Sequence, residues 1–297
     1  MNTTAPQPTT EFDKMDYAPL YPVYSWIPYH GAWSYEVQVW RKGTNGRDQK
    51  IRELYQRANN LYDDAGYTVP GTYWWQVRAV GHDELPCSQW SEQRFFSVMA
   101  PVKAAALGDS ITHGGGAITT PPGYRLYDWE SYSSVPIKNL GYSGNRVEDM
   151  CERFERDVLP FSPKILVILG GANNFRAGDS AETIIHGLVE LREKCLSYGI
   201  VPVFAAAPPI NPMRMSRTYG MERPADDWLE QQQQINAWIL RQTYAVDTAS
   251  GLTDANGWLR ADYTSDGLHP DLPGKKYIGE AIGRYLQQHF APLLQNH

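Results

Sequence analysis

AAALGDSITHGGG, residues 104–116, runs from four apolar residues into Gly-Asp-Ser and then into a cluster of glycines. A short apolar run bounded by glycine reads as a strand buried on both faces, and the polar residues after it open a turn into a helix. The pattern returns at KILVILGG (164–171) and VPVFAAAPP (201–209), with weaker runs at PIKNL (136–140) and YAVD (244–247). Amphipathic stretches lie between the runs. In 181–199, Ile184, Leu188, Leu191 and Cys195 recur at three- and four-residue steps, and Gly199 supplies a stop. Trp228, Ile235, Trp238 and Ile239 mark a second helix, and Ile278, Ile282, Tyr285 and Leu286 a closing one. Alternating strands and helices predict an α/β fold, an open three-layer α/β/α domain over 104–291, with its site at the carboxyl ends of the strands.

Upstream the texture differs. Residues 1–17 are polar and rich in Thr and Pro, which predicts a flexible tail. In SYEVQVW (34–40), Tyr35, Val37 and Val39 alternate with Glu36, Gln38 and Trp40, as a half-buried strand requires. YWWQVRAV (73–80) repeats that period after a Pro-Gly turn, and WSEQRFFSV (90–98) adds another extended run. With an early strand around Trp26, these segments resemble a fibronectin type III-like β-sandwich over 18–100. The charged segment 41–66 reads either as a strand pair or as a short helix, and MAPVK (99–103) as a joint.

An apolar content of 42% excludes a disordered chain, and a net charge of −6 leaves no basic footprint for nucleic acid or anionic lipid. No stretch approaches the roughly 18 to 20 apolar residues of a membrane span. The first residues lack the charged-then-apolar layout of a signal peptide, so the chain as written reads as soluble and cytoplasmic, or as secreted or periplasmic if a leader was removed. Cys87, Cys151 and Cys195 show no metal or disulfide spacing. The oligomeric state leaves no mark on the sequence.

Polar residues just after each apolar run crowd onto one edge of such a sheet: Ser110, then Gly144 and Asn145, then Asn173 and Asn174. Near the C-terminus, SDGLHPD adds Asp266 and His269 on a loop. A serine hydroxyl attacks only when a base takes its proton, and the base works best when a carboxylate fixes its tautomer. Ser110, His269 and Asp266 are those three residue types. The tetrahedral intermediate of acyl transfer also needs oxyanion donors, and the amides of Ser110 and Gly144 with the Asn173 side chain would supply three.

GDSITHG, NLGYSG, GGANN and DGLHP, in that order, resemble the four blocks of the SGNH hydrolases, the GDSL esterases and lipases. The resemblance implies a flavodoxin-like domain with a five-stranded parallel sheet and no metal or organic cofactor. It implies Ser110 as nucleophile, His269 as base and then acid, Asp266 as its partner, and Ser110, Gly144 and Asn173 as the oxyanion hole. One departure is visible: Asn174 stands where the third block usually has Asp.

Other residues carry two readings each. Ser110 taken alone would be a helix cap. His113 lies nearer Ser110 in sequence than His269 does, but falls in the first helical turn and is set aside as base. Trp129, Tyr132 and Tyr142 form either an aromatic wall of the substrate pocket or part of the core. The long connection 208–228 either lines the pocket, with Arg214, Arg217 and Arg223 meeting polar substrate groups, or is a solvated loop. The expected substrate is a small-molecule or carbohydrate ester with a short acyl group such as acetyl. The alternatives are a lysophospholipase or thioesterase, and a carbohydrate-binding module with weak esterase activity.

Overall fold

The computed structural model describes residues 4–117 and 120–294. Seven antiparallel strands come first: β1 (Gln7–Pro8), β2 (Val23–Ile27), β3 (Ser34–Arg41), β4 (Gln49–Gln56), β5 (Asn60–Tyr62), β6 (Gly71–Val80) and β7 (Arg94–Val98). They form two sheets, ordered β1-β2-β5 and β4-β3-β6-β7. Alternation sends Tyr24 of β2 against Trp75 of β6, ring centroids 4.9 Å apart, and Trp26 of β2 against Tyr35 of β3, 5.0 Å apart. The inner faces thus share a core of aromatic rings. The charged segment 41–66 holds two strands that do not pair with each other: β5 joins β2, while β4 joins β3 as an edge strand, so its charges reach water.

The expected flexible tail is largely built into this region. Gln7 and Pro8 pair with Ile27 and Trp26, and Phe12 is buried against Tyr24 and Phe96. An edge position tolerates Pro8, which has no amide to give to a ladder. Residues 1–3 lie outside the described residues.

Five parallel strands follow: β8 (Ala104–Gly108), β9 (Lys138–Gly141), β10 (Ile165–Leu169), β11 (Val201–Ala205) and β12 (Ala245–Val246). Their order is β12-β11-β10-β8-β9, so the chain reverses direction across the sheet between β8 and β10. Every residue of β8, β9 and β10 is buried, as a sheet covered on both faces demands. The helices are α1 (Ser110–His113), α2 (Val147–Glu152), α3 (Phe154–Asp157), α4 (Ala172–Ala177), α5 (Ala181–Ser197), α6 (Pro212–Met215), α7 (Trp228–Ile239) and α8 (Leu272–Leu294). This is the three-layer, flavodoxin-like arrangement, with a smaller antiparallel β region ahead of it.

The two regions are joined through the outer edge of β9. The Leu20 amide donates to the Asn139 carbonyl at 2.9 Å, and buried Lys138 donates to the Ala18 carbonyl at 2.6 Å. Burial pushes the Lys138 ammonium down to about 7. The Tyr21 hydroxyl donates to Asp157 at 2.7 Å, and buried apolar side chains run continuously from one region into the other.

Candidate active site

The carboxyl edge of the parallel sheet gathers the residues singled out in the sequence. β8 ends at Gly108, and Asp109 caps α1, its Oδ1 accepting from the Ile111 amide at 2.9 Å. Ser110 is therefore the first residue of the helix, and its hydroxyl lies 2.9 Å from His269 Nε2. His269 Nδ1 lies 2.8 Å from Asp266 Oδ2. Because a carboxylate accepts, Nδ1 of the neutral ring carries the proton and Nε2 is left to accept from Ser110.

Asp266 is held from several sides. Its Oδ1 accepts from the amides of Leu268 and His269, both at 2.8 Å, and lies 3.3 Å from the Thr264 hydroxyl. Burial alone would raise the Asp266 carboxyl, but the His269 ring and these amides outweigh it and hold the group below the ordinary carboxylate range. The loop is fixed from beneath, where the Asn211 amide donates to the Gly267 carbonyl at 2.7 Å.

Gly144 follows β9 with φ +87°, a left-handed conformation that only glycine enters without strain. Asn173 sits in the first turn of α4, and its Nδ2 donates one hydrogen to the Asn145 carbonyl at 2.9 Å, leaving the second. Among the described residues the amides of Ser110 and Gly144 have no protein acceptor. Ser110, Gly144, Asn173 and His269 line one cavity of about 230 Å³, together with Tyr62 of β5 and Thr120.

His113 is close by and differently employed. Its Nε2 lies 2.7 Å from the Tyr21 carbonyl, so that nitrogen carries the proton. Its Nδ1 accepts from the Ser143 hydroxyl at 2.9 Å and the Ser143 amide at 3.2 Å. The ring is only 4% exposed, stacked on Tyr142 and met edge-on by Tyr62. Burial pushes it down to about 4, so it is neutral near pH 7.

Four candidates for the pocket are not among its described lining. Trp129 is fully buried in a short turn packed on α8. Tyr142 lines a separate cavity of about 520 Å³ with Tyr21, Arg153 and Asp157. Arg214 is on α6, whose cap residue Asn211 is bonded to Gly267 of the histidine loop, and it is not among the described lining of the cavity. Asn174 is buried and points away: its Oδ1 accepts from the Val147 amide, and its Nδ2 donates to Glu148 and Asp179 at 2.9 and 2.8 Å. An amide fits there because a carboxylate would be a third anion facing two others.

Sequence reading missed Tyr62, Asn211, Thr264 and Arg153. Buried Arg153 ties the strand ends together, donating to the carbonyls of Gly108 and Leu140 at 2.9 and 2.8 Å, and also to the Asn145 side chain and to Asp157. Only Thr264 left a local signal, a hydroxyl two residues before Asp266. Among the described residues no group of three or more His, Cys, Asp or Glu is placed to hold a metal ion, and no helix is long and apolar enough to cross a membrane.

A parallel sheet of this order, carrying serine, histidine and oxyanion-type donors at its carboxyl edge, defines an ester hydrolase of the SGNH class. Residues 106–277, more than half of the chain, match the GDSL-like Lipase/Acylhydrolase family, and the chain belongs to that family. Among solved structures it is similar to the lipase/acylhydrolase from Enterococcus faecalis, at 22% identity and TM-score 0.51 over 63% of this chain and 96% of that one. It is also similar to a GDSL-like lipase from Bacteroides thetaiotaomicron, at 18% identity and TM-score 0.48 over 63% and 88% of the two chains. A third is an acetylxylan esterase from Geobacillus stearothermophilus, at 20% identity and TM-score 0.46 over 63% and 94%. No curated protein sequence matches the chain.

Proposed function

We propose that the protein cleaves carboxylic esters through an acyl-serine on Ser110. The observation that carries this reading is the unbroken chain from Ser110 Oγ to His269 Nε2, 2.9 Å, and from His269 Nδ1 to Asp266 Oδ2, 2.8 Å. His269 takes the Ser110 proton as the oxygen attacks the ester carbon. Asp266 keeps Nδ1 protonated and stabilises the imidazolium that results. The carbonyl oxygen becomes an oxyanion held by the amides of Ser110 and Gly144 and by the second Asn173 hydrogen, donors worth about 3 to 4 kcal/mol each. Collapse breaks the ester C–O bond, and His269 returns its proton to the departing alcohol oxygen. Water, deprotonated by His269, then cleaves the acyl-serine and releases the acid.

Acyl groups are small in this reading, acetyl first. A cavity of about 230 Å³ supports it, lying below the roughly 300–1,000 Å³ of sites that enclose larger ligands. The alcohol is a carbohydrate, a choice supported by the absence of Lys and Arg from the described lining, which leaves the phosphates of an acyl-CoA without a partner. The strand orders β1-β2-β5 and β4-β3-β6-β7 support a fibronectin type III-like sandwich, here extended to include Gln7–Pro8, ahead of the catalytic domain over 104–291.

The test compares parent protein and Ser110→Ala on p-nitrophenyl esters of increasing chain length and on acetylated glycans. Turnover that is fastest on acetate, with acetate released from the glycan and none of it by Ser110→Ala, supports the reading. Retained turnover by Ser110→Ala refutes the mechanism, and faster turnover of long acyl chains refutes the substrate class.

A further inference from the structure

The catalytic cavity does not end at Tyr62. A second cavity of about 450 Å³ adjoins it, with Thr120 lining both. One wall comes from the N-terminal β region, through Glu11, Asn59 and Asn60, and the other from the 120–127 segment, through Tyr124 and Tyr127. β5 explains how the two are connected. Residues two apart on a strand share a face, so Asn60 and Tyr62 project on the same side while Leu61 between them is buried in the core. Asn60 faces the second cavity and Tyr62 the catalytic one, at a step of roughly 7 Å, on the scale of one sugar ring.

The lining chemistry is specific. No Lys or Arg is among the described lining residues, and the Lys14 ammonium at the edge of the groove is already paired with Glu11. The Asn60 side chain makes no hydrogen bond within the described residues, which leaves an amide donor and acceptor for a ligand. Glu11 is an ionised acceptor fixed by Lys14 and the Arg125 amide at 2.6 and 3.1 Å, and the Tyr124 hydroxyl is pinned to Thr9 at 2.9 Å. Amides, a carboxylate and aromatic faces on an open groove are the means by which neutral polyhydroxylated chains are held.

We infer that this groove binds the neutral sugar residues next to the acylated one, so that the preferred substrate is an acylated oligosaccharide and the N-terminal β region forms half of its binding site. The inference rests on the carbohydrate reading proposed above. It makes the β region a wall of the active site and not a separate glycan-binding module.

The experiment measures kcat/KM on O-acetylated xylose, O-acetylated xylotetraose and p-nitrophenyl acetate. The proteins are the parent, Asn60→Trp, which fills the groove from an edge strand, and Tyr124→Ala, which removes its opposite wall. The parent should prefer the tetrasaccharide to the monosaccharide by about tenfold, the value of one or two added hydrogen bonds. Each variant should lose most of that preference while melting near the parent temperature. A parent that deacetylates both sugars equally, or variants that keep the preference, would overturn the groove alone. A parent that cleaves p-nitrophenyl acetate and no acetylated sugar overturns the carbohydrate reading and the groove with it.

Discussion

Two histidines flank Ser110, and their surroundings separate them. His269 stands on a loop 159 residues further along the chain, lining the cavity with its side chain 16% exposed, with a carboxylate behind Nδ1 and the serine hydroxyl before Nε2. His113 is one helical turn from Ser110, sealed between Tyr142 and Tyr62, with a backbone carbonyl at Nε2 and Ser143 at Nδ1. Both rings use both nitrogens. Only His269 has one of them on the Ser110 hydroxyl and the other on a carboxylate. His113 instead ties the N-terminal segment at Tyr21 to the residue preceding Gly144, and burial keeps it uncharged. Role here follows from hydrogen-bond partners and burial, not from distance along the sequence.

The comparison breaks most visibly in steady-state kinetics on p-nitrophenyl acetate. Ser110→Ala and His269→Ala should each lower kcat by roughly 10⁴- to 10⁶-fold, and Asp266→Asn by roughly 10³- to 10⁴-fold, with circular dichroism unchanged. Asn173→Ala removes one oxyanion donor and should cost about 10²- to 10³-fold, expressed in kcat more than in KM. The buried histidine shows in stability. Its folded value of about 4 lies below the ordinary 6.5, so the unfolded chain binds the proton first as pH falls. The stabilisation is complete above about pH 6.5 and lost progressively toward pH 4, amounting to about 3 kcal/mol. Urea melts at pH 7.5 and 4.5 should show His113→Asn losing less stability across that interval than the parent; equal losses would contradict the assignment. The smallest effect is on rate: His113→Asn should lower kcat by tenfold or less, about 1.4 kcal/mol, without shifting the pH–rate profile.

How much of this was legible depended on whether the signal was local. β8, β10 and β11 declare themselves as apolar runs because both faces are covered. β9 is harder to read, since Lys138 and Asn139 are polar yet buried, satisfied by the Ala18 and Thr112 carbonyls that no local pattern announces. Ser110, Gly144, Asn173, Asp266 and His269 could be placed together because each follows a strand or sits in a marked loop. Trp129 could be read from its aromatic character either as pocket wall or as core, and its turn packs on α8, which places it in the core. Tyr62 and Asn60 gave no sign: they sit in a three-residue edge strand, and their importance comes from a cavity wall contributed by residues 120–127. Phe12 made the tail structured by entering a core whose other members lie far along the chain.

Labelling with a fluorophosphonate, read by intact mass and peptide mapping, tests the central claim most directly, since the reagent is attacked by an activated serine and stays bound. One adduct per chain, on Ser110, is predicted for the parent at a rate that His113→Asn nearly retains and that His269→Ala loses by at least about a hundredfold. An adduct on another residue, or parent-like labelling in His269→Ala alongside its loss in His113→Asn, would contradict it.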